Sequence, residues 1–538
     1  MGIKSSEHSL LHSKRLPGAG ALAARSPEAL CARQSRPTPS LGAPAGGAGM
    51  SHPAPSDDHS LHEECGVVGA FSFKDEDVAP LLYRALIALQ HRGQDSAGMA
   101  TFDGKRIKNH RELGLVASVF DEKTVGKLAG HAGIGHVRYP TIGAGGKEDA
   151  QPFAFKQPFG GIALAHNGNI ANYGTLRRLL EEKGLEFCST CDSYLILEVF
   201  VRQLQAHGLD IFKASAGLMK ELDGSYSVCA VTAKNQLIVM RDPHAIRPLC
   251  WGKTDDVIMF ASESVALDIN QIPLCGDIAP GEVLIIGREG IHKKSVMAEQ
   301  PRHCVFEYVY FSRPDSVEEG KLVYEVRAEL GRRLARSAPA DADIVVPVPD
   351  TSRPAAEGYS QVSGIPLVEG LIKNRYVGRT FIMPSQPKRL EAVRLKLNAV
   401  RGLVGGKRIV LIDDSIVRGT TSGPIVKLLR NAGAKEVHLR IACPPVVSPC
   451  FYGVDLPTFT ELIAANKSVE EIRAVSGADS LAYVSIDDLV GAIGKNRADL
   501  CMGCLNGDYP TELGNRIAKM MKTRGAHEGV RIWEEKVL

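Results

Sequence analysis

The sequence predicts a chain of two main domains, a mixed α and β domain with stacked sheets followed by an α/β domain built on a parallel sheet. Its 538 residues are too many for one ordinary hydrophobic core. Between residues 64 and 290, short strand patterns alternate with helical ones. Two apolar runs, residues 342–349 and 407–414, are each followed by a loop and a helix, as is typical of buried parallel strands.

The first domain begins with a strand-like run, residues 65–71, that leads into a helical pattern over residues 79–91. Further strand patterns cover residues 134–138, 161–166, 227–231 and 236–240, and helical patterns cover residues 173–183 and 192–206. This order is compatible with sheets stacked between layers of helices. After residue 511 the sequence is helical in pattern and then polar.

Composition excludes several classes of protein. The 64 basic residues nearly balance the 61 acidic ones, so the net charge of +3 gives no general attraction to nucleic acid or anionic membrane. Apolar runs are of strand length, well short of the roughly 18 to 20 residues that span a bilayer. Twelve scattered cysteines fit a reducing compartment better than a disulfide framework. We therefore expect a cytoplasmic protein with free thiols.

Residues 1 to about 55 differ from the rest, because they are rich in Ala, Gly, Ser, Pro and Arg and lack apolar periodicity. We expect disorder there. The Arg and Ser content also leaves an organellar transit peptide open, since acidic residues are few. Met50 is an alternative translational start.

Cys65 lies in the segment HEECG, directly before the first strand pattern. A lone cysteine is more often inert core than a nucleophile. Three polar, glycine-rich clusters shift the balance, since such clusters at the ends of strands are where binding and catalytic groups usually lie. They are QHRGQDSAG at residues 90–98, HVRYPT at 136–141 and HNGNI at 166–170.

In their order along the chain and in their residues, these segments resemble the class II glutamine amidotransferases, whose domains are αββα N-terminal-nucleophile hydrolases. The resemblance implies cleavage just before Cys65, so that residues 1–64 are a leader. The freed α-amine, with an ordinary pKa near 8, would then accept the thiol proton. Asn167 and Gly168 match the donors that stabilise the tetrahedral oxyanion.

The same resemblance implies that Arg138 pairs with the α-carboxylate of glutamine and Asp192 with its α-ammonium. Arg92 would close the pocket. Cys188 and Cys191 form a CxxC beside the proposed substrate aspartate, which could bind metal or act in redox chemistry. Because no second pair accompanies them in the domain, we interpret them as local packing.

The segment VLIDDSIVRGTT, residues 410–421, is a strand that ends in two carboxylates and is followed by a loop of small residues entering a helix. Backbone N–H groups and hydroxyls of such a loop can hold a sugar phosphate at a helix N-terminus. The carboxylates can meet ribose hydroxyls and a hard cation. The alternative to a binding site is an acidic strand end on a solvated loop that binds no ligand.

This segment resembles the phosphoribosyl pyrophosphate (PRPP) motif of type I phosphoribosyltransferases. The resemblance implies a pyrophosphate loop at residues 346–352 and a magnesium site formed by Thr351, Asp413 and Asp414. It also implies a basic mobile lid at residues 373–379, carrying Arg375 and Arg379. The implied contacts to the phosphate come from Ser415, Arg418, Gly419, Thr420 and Thr421.

Four separated cysteines, Cys304, Cys450, Cys501 and Cys504, match the cluster ligands of the glutamine-dependent PRPP amidotransferases. Four thiolates suit either zinc or a [4Fe–4S] cluster. The sequence motifs of the chain and its leader resemble those of the iron–sulfur, propeptide-bearing subgroup, and this resemblance favours [4Fe–4S] over zinc. The implied role is structural or oxygen-sensing, because metal ligation and folding are coupled.

Taken together, the resemblance implies transfer of the amide nitrogen of glutamine to PRPP, giving 5-phosphoribosylamine, glutamate and pyrophosphate, the first committed step of purine synthesis. Purine nucleotides as feedback inhibitors and a homotetramer are also implied. Expected domains are a leader (1–64), an amidotransferase domain (65–290), a phosphoribosyltransferase domain with the cysteines (291–515) and a tail (516–538). A glucosamine-6-phosphate-forming amidotransferase and a PRPP-sensing regulator are the alternatives. The PRPP motif argues against the first, and Cys65 with Asn167 against the second.

Overall fold

Two antiparallel sheets form the first half of the protein in a computed structural model that describes residues 65–139, 146–374, 396–456 and 458–524. The elements of this half, in chain order, are β1 (Gly66–Ser72), α1 (Ala79–Ala88), β2 (Ser96–Phe102), β3 (Ile107–Leu113), α2 (Val116–Val119), α3 (Glu122–Lys127), β4 (Ala132–Arg138), β5 (Phe153–Phe155), β6 (Ile162–Ile170), α4 (Tyr173–Glu182), α5 (Asp192–Ala206), α6 (Ile211–Glu221), β7 (Gly224–Thr232), β8 (Gln236–Arg241), β9 (Cys250–Lys253), β10 (Val257–Ala261), α7 (Val265–Asp268), β11 (Leu274–Asp277), β12 (Glu282–Gly287) and β13 (Gly290–Ser295).

The strand order is β11-β9-β10-β1-β4-β2-β3 in one sheet and β13-β12-β8-β7-β6-β5 in the other. Alternation along β1 explains the layering, since successive side chains of a strand point to opposite faces. Val67 and Phe71 pack in the core between the two sheets. Val68 and Ala70 pack against the outer helix α1. The predicted arrangement of helix, two sheets and helix is confirmed.

A parallel sheet forms the second half. Its elements are β14 (His303–Cys304), a short π-helical segment (Glu307–Phe311), β15 (Val317–Glu318), β16 (Lys321–Leu322), α8 (Val323–Ser337), β17 (Ile344–Pro347), α9 (Arg353–Ser363), β18 (Leu371–Lys373), β19 (Leu397–Ala399), α10 (Arg401–Val404), β20 (Arg408–Asp413), α11 (Ser422–Asn431), β21 (Glu436–Ile441), α12 (Ile463–Asn466), α13 (Val469–Ser476), β22 (Ser480–Tyr483), α14 (Ile486–Ile493), β23 (Leu500–Cys501), α15 (Gly503–Asn506) and α16 (Glu512–Arg524).

Strands β17, β20, β21 and β22 lie side by side in that order and are parallel throughout. Ile409, Val410 and Leu411 of β20 are almost fully buried, because helices cover both faces of the sheet. The predicted parallel sheet is therefore confirmed. In the described part of the chain, no helix is long and apolar enough to cross a membrane.

One predicted boundary was too short. The strand predicted over residues 161–166 continues through the HNGNI cluster, which forms the last five residues of β6 and pairs with β7 as far as Ile170↔Gly224. Gly168 is essential to this geometry, because its φ is +152° and a Cβ there would lie 2.0 Å from the main-chain oxygen of Ser225. The oxyanion motif is therefore held by a complete strand ladder.

Candidate active sites

Cys65 stands immediately before β1 and is 6% exposed. Burial raises the pKa of its thiol to about 11, although the positive charges of Arg138 and Arg92 oppose the shift. The thiol donates to the main-chain oxygen of Tyr139, 3.4 Å away, and a carbonyl cannot take up a proton. Cys65 is thus protonated at neutral pH, and attack on an amide requires a base that removes the proton.

The predicted oxyanion strand meets the nucleophile strand through Ser262. The Asn167 amide donates to the Ser262 hydroxyl at 3.4 Å, and that hydroxyl accepts from the N–H of Val67 at 3.0 Å. Asn167 is buried on β6, while Val67 is the second residue of β1. The structure therefore brings Asn167 and Gly168 to the start of the strand that carries Cys65.

Arg138 ends β4 and lies close to several negative or ionisable groups. Burial opposes its charge, but the Cys191 and Cys65 thiols when ionised, together with Asp149 and Asp192, raise the pKa of the guanidinium. Its guanidinium lies 4.0 Å from the Asp149 carboxylate. The electrostatic interactions of Arg138 with Cys65 and Asp192 indicate that the structure brings these three predicted residues of the glutamine site together.

Asp192 is the first residue of α5 and is 3% exposed. Its carboxylate accepts from the N–H of Ile170 at 3.3 Å and lies 3.7 Å from Nε2 of His166. Burial lowers the pKa of His166, so the ring is neutral and leaves the Asp192 charge available to an ammonium group.

The CxxC residues differ in environment. Cys188 is exposed, whereas Cys191 is buried and forms contacts with Asp192 and Ser193. Burial raises the pKa of Cys191 to about 12, which is opposite to the thiolate stabilisation of a redox pair. The environment favours packing for Cys191.

Arg92 has a fully buried guanidinium. Its Nε donates to the main-chain oxygen of Cys65 at 3.1 Å, and its terminal nitrogens contact the carboxylates of Glu263 and Glu307 at 2.7 and 2.8 Å. This position holds the nucleophile from within the protein. The predicted pocket closure by Arg92 stays a prediction.

The PRPP motif lies at the carboxyl end of β20. Asp413 is 7% exposed, and its carboxylate accepts from the N–H of Asp414 at 3.0 Å and from the Ser352 hydroxyl at 3.5 Å. Burial and the neighbouring negative charge raise the pKa of Asp413 well above its usual range. Burial raises the pKa of Asp414 to about 6. Two adjacent carboxylates with raised pKa values are suited to a hard cation, which would compensate their charge.

Thr351 belongs to the loop between β17 and α9, and β17 pairs with β20 up to Pro347↔Ile412. The predicted pyrophosphate loop and the two aspartates therefore leave neighbouring parallel strands at the same edge. Lys373, at the end of β18, lies 3.4 Å from the carboxylate of Asp350 in this loop. Arg375 and Arg379 lie outside the described residues.

The loop between β20 and α11 contains the predicted phosphate contacts. Ser415 donates to Asp414 at 2.7 Å, and Thr421 directly precedes α11. Gly419 has a φ of +72°, and a Cβ there would lie 2.4 Å from the Ile463 side chain. Thr420 is exposed. The loop thus presents hydroxyls and N–H groups at the N-terminus of a ten-residue helix.

Arg418, predicted to contact the phosphate, forms ion pairs with two acidic residues of the protein. Its guanidinium contacts Glu461 at 3.0 Å and Asp455 at 3.8 Å, and its side chain is only 9% exposed. These pairs anchor the loop to the segment before α12. Direct phosphate binding by Arg418 stays a prediction.

The four predicted cluster cysteines come from distant parts of the chain and are all buried. Cys304 and Cys501 face each other in the parallel pair β14 and β23. Burial, together with charge at Cys450, Cys501 and Cys304, raises the pKa of Cys504 well above its ordinary value. The structure thus brings the four thiols close enough together to interact electrostatically.

The chemistry of these four thiols fits a soft metal centre, and the N–H of Tyr452 donates to the sulfur of Cys450 at 3.4 Å. Across the ranges that the structure describes, however, no group of three or more His, Cys, Asp or Glu side chains is already arranged around a single metal ion.

Comparison with known proteins agrees with both halves of the structure. Residues 137–268 match a model for a glutamine amidotransferase domain, and residues 315–445 match one for a phosphoribosyl transferase domain. A solved structure of the Bacillus subtilis glutamine PRPP amidotransferase, complexed with ADP and GMP, superposes with a TM-score of 0.78 at 42% identity. It covers 84% of this chain and 98% of that one.

The fold and the two sites define a glutamine amidotransferase joined to a phosphoribosyltransferase. An amidophosphoribosyltransferase of Methanothermobacter thermautotrophicus is 50% identical over 464 residues, covering 85% of this chain and 97% of the relative. The Bacillus subtilis amidophosphoribosyltransferase is 45% identical over 459 residues, covering 84% and 95%. The chain belongs to the amidophosphoribosyltransferase family.

Proposed function

We propose that this protein hydrolyses glutamine at Cys65 and transfers the released ammonia to C1 of PRPP, giving 5-phosphoribosylamine, glutamate and pyrophosphate in the first committed step of purine synthesis. One observation carries the proposal. A buried cysteine at the start of β1, next to an oxyanion strand, occurs in the same chain as paired carboxylates at the end of β20. Each half of the reaction thereby has its own site.

In the glutamine half, Cys65 attacks the amide after cleavage of residues 1–64 frees its α-amine. That amine accepts the thiol proton, since the raised pKa of Cys65 keeps the resting thiol protonated. The Asn167 amide and the Gly168 N–H stabilise the oxyanion of the tetrahedral intermediate. Arg138 and Asp192 bind the α-carboxylate and α-ammonium of the substrate.

In the PRPP half, Thr351, Asp413 and Asp414 would hold Mg²⁺, which supplies charge to the leaving pyrophosphate. Ser415, Gly419, Thr420 and Thr421 bind the 5′-phosphate with hydroxyl and N–H donors. Arg375 and Arg379 belong to the lid that excludes water from the reactive ribosyl centre. The main contribution of the protein is to position the groups and stabilise charge.

Cys304, Cys450, Cys501 and Cys504 would hold a [4Fe–4S] cluster with a structural or oxygen-sensing role. The shared electrostatic neighbourhood of the four thiols supports this ligand set. An oxygen-sensitive centre and free thiols suit the cytoplasm. Replacing Cys504 by Ala should abolish the iron and sulfide content of anaerobically purified protein. Cys443→Ala, at another buried cysteine, should leave both unchanged; equal iron in the two variants would contradict the ligand assignment.

Purine nucleotides are proposed as feedback inhibitors and a homotetramer as the assembly. ADP and GMP are present in the Bacillus subtilis structure, which supports nucleotide binding by this chain through 42% identity. The proposed domains are a leader (1–64), an amidotransferase domain (65–290), a phosphoribosyltransferase domain (291–515) and a tail (516–538).

A paired assay tests the function. With Mg²⁺ and PRPP, the protein should release glutamate and pyrophosphate in equal amounts from glutamine, and pyrophosphate alone from ammonia. Cys65→Ala should lose the glutamine-dependent reaction and keep the ammonia-dependent one. Cys275→Ala, at an exposed cysteine, should keep both. Glutamine-dependent turnover by Cys65→Ala would contradict the proposal.

A further inference from the structure

Glu307 lies between the two regions that match family models, residues 137–268 and 315–445. It is the first residue of the π-helical segment, three residues after Cys304, and is 2% exposed. A buried carboxylate is costly unless it is paired and hydrogen-bonded. Its partners therefore indicate what it does.

On one side, Glu307 holds the arginine behind the nucleophile. Nη1 and Nη2 of Arg92 donate to its two oxygens at 3.0 and 2.8 Å. Such a forked pair fixes the plane of the guanidinium as well as its position. The Nε–H of that guanidinium donates to the main-chain oxygen of Cys65 at 3.1 Å. The orientation of Glu307 is thus transmitted to the main chain of the nucleophile.

On the other side, Glu307 is held by the cysteine-rich part of the protein. Nη1 of Arg247 donates to it at 3.0 Å, and Nε of Arg247 donates to the main-chain oxygen of Tyr452 at 2.9 Å. Tyr452 is two residues after Cys450. The segment that carries one predicted cluster ligand therefore fixes the carboxylate that orients Arg92.

A third contact reaches the PRPP half. The Ser312 hydroxyl donates to Glu307 at 2.9 Å, and the Ser312 main-chain oxygen accepts from Arg327 at 2.7 Å. Arg327 lies on α8, and its positive charge acts on Asp414 of the PRPP motif. The carboxylate of Glu307 therefore contacts Arg92, Arg247 and Ser312, each of which is linked to one of the three predicted sites.

We propose that Glu307 is a positioning residue for the glutamine half-reaction, which aligns the main chain of Cys65 by fixing the guanidinium of Arg92. The inference rests on the proposed glutaminase function of Cys65. Glu307 itself does not touch the substrate. The carboxylate charge is needed because two buried guanidinium groups, those of Arg92 and Arg247, converge on it.

The test uses Glu307→Gln in the full chain, which preserves shape but removes the charge. The kcat for glutamine hydrolysis should fall about 10- to 100-fold, since a displacement near 1 Å has that order of effect. The KM for glutamine should change less than about threefold, because Arg138 and Asp192 are untouched. Ammonia-dependent synthesis should remain at the wild-type rate. A purely structural role would instead lower both activities together.

Glu318→Gln is the matched control. Glu318 is also buried, its carboxyl contacts the Ser312 hydroxyl, and burial with charge at Glu307 raises its pKa well above the usual range. A raised pKa favours the neutral form of the carboxyl, which Gln resembles in shape and charge. This variant should keep wild-type glutamine hydrolysis. A loss equal to that of Glu307→Gln would overturn the proposal.

Arg92→Lys keeps the inference testable if Glu307→Gln fails to fold. Lysine retains the charge that faces Glu307 and Glu263 but lacks the planar guanidinium that pairs with Glu307 through two nitrogens and donates its Nε–H to Cys65. Its kcat should fall as much as that of Glu307→Gln, and the double variant should lose little more, because both changes break one linkage. A wild-type kcat in Arg92→Lys would overturn the proposal. If the unmodified protein hydrolysed no glutamine, the proposed function would fail instead.

Discussion

In the glutamine half every predicted side chain is buried, whereas most of the described PRPP residues lie on loops and several are half-buried or exposed. Arg138, Asn167 and Asp192 are at most 3% exposed, and each contacts a residue outside its own strand or helix. Thr351 is half-buried and Thr420 is exposed. The difference teaches that the first site is organised before substrate arrives, while the second is completed by cation and substrate.

The largest expected effect comes from a substitution in the glutamine site, Gly168→Ala. Gly168→Ala places a Cβ 2.0 Å from the main-chain oxygen of Ser225, so β6 and β7 must separate. Displacing the oxyanion donors should lower the kcat for glutamine hydrolysis about 100- to 1000-fold. Ammonia-dependent synthesis should be retained, as measured by pyrophosphate release.

Gly126→Ala is the control for Gly168→Ala. Nothing lies within 4 Å of its added Cβ, and Gly126 is inside α3, where alanine is the better helix former. It should keep full glutaminase activity and a Tm at least equal to that of the unmodified protein. If Gly168→Ala were equally active, the oxyanion assignment would be wrong.

The second change addresses the PRPP half. Asp413→Asn keeps the shape of the side chain but removes a charged ligand of the proposed Mg²⁺. Ammonia-dependent synthesis should fall about 100-fold, because a metal ion contributes several kcal/mol of charge stabilisation. Glutamine hydrolysis without PRPP should be unaffected, since Cys65 belongs to the other half. Loss of both activities would show that the two sites are not separable.

The smallest expected effect concerns pH. Burial is the main cause that raises the pKa of Asp414 to about 6. When no cation is bound, this carboxyl therefore costs stability as the pH rises from the unfolded value of about 3.9, and the loss is complete above about pH 6, where the folded form carries a buried charge. Mg²⁺ binds the ionised form, so the Tm increase that it causes should be larger at pH 7.5 than at pH 5.5. In Asp414→Asn this difference should become smaller, because Asp413 is then the only one of the two carboxyls that must ionise to bind the cation. An equal increase at both pH values in the unmodified protein would count against a cation at Asp414.

Much of the fold was predictable because its signals are local. Apolar alternation and runs indicated β1, β4, β17 and β20, and the helical pattern over residues 192–206 coincides with α5. The sequence motifs also identified residues that the structure brings together, such as Arg138 and Asp192. The end of β6 was misjudged, because only its partner β7 determines how far the strand extends.

The buried ion pairs were not predicted, because they join residues far apart in sequence. Arg92, Arg247 and Glu307 meet only after folding. One signal was present. Glu307 is the single charged residue in the apolar run VFEYVYF, residues 305–311, and a carboxylate in such a run must find a partner. Its partners cannot be identified from spacing, since spacing carries no information on long-range contacts.

The most direct test of the central claim is the N-terminal sequence of the purified, active protein, together with its intact mass. If Cys65 is the nucleophile and its own α-amine the base, active protein should begin at Cys65 and lack residues 1–64. Cys65→Ala protein, which lacks the proposed nucleophile, is the control, and its N-terminal sequence and glutamine hydrolysis are measured in the same way. Full glutamine hydrolysis by protein that still carries residues upstream of Cys65 would contradict the mechanism, because no free α-amine would then be present.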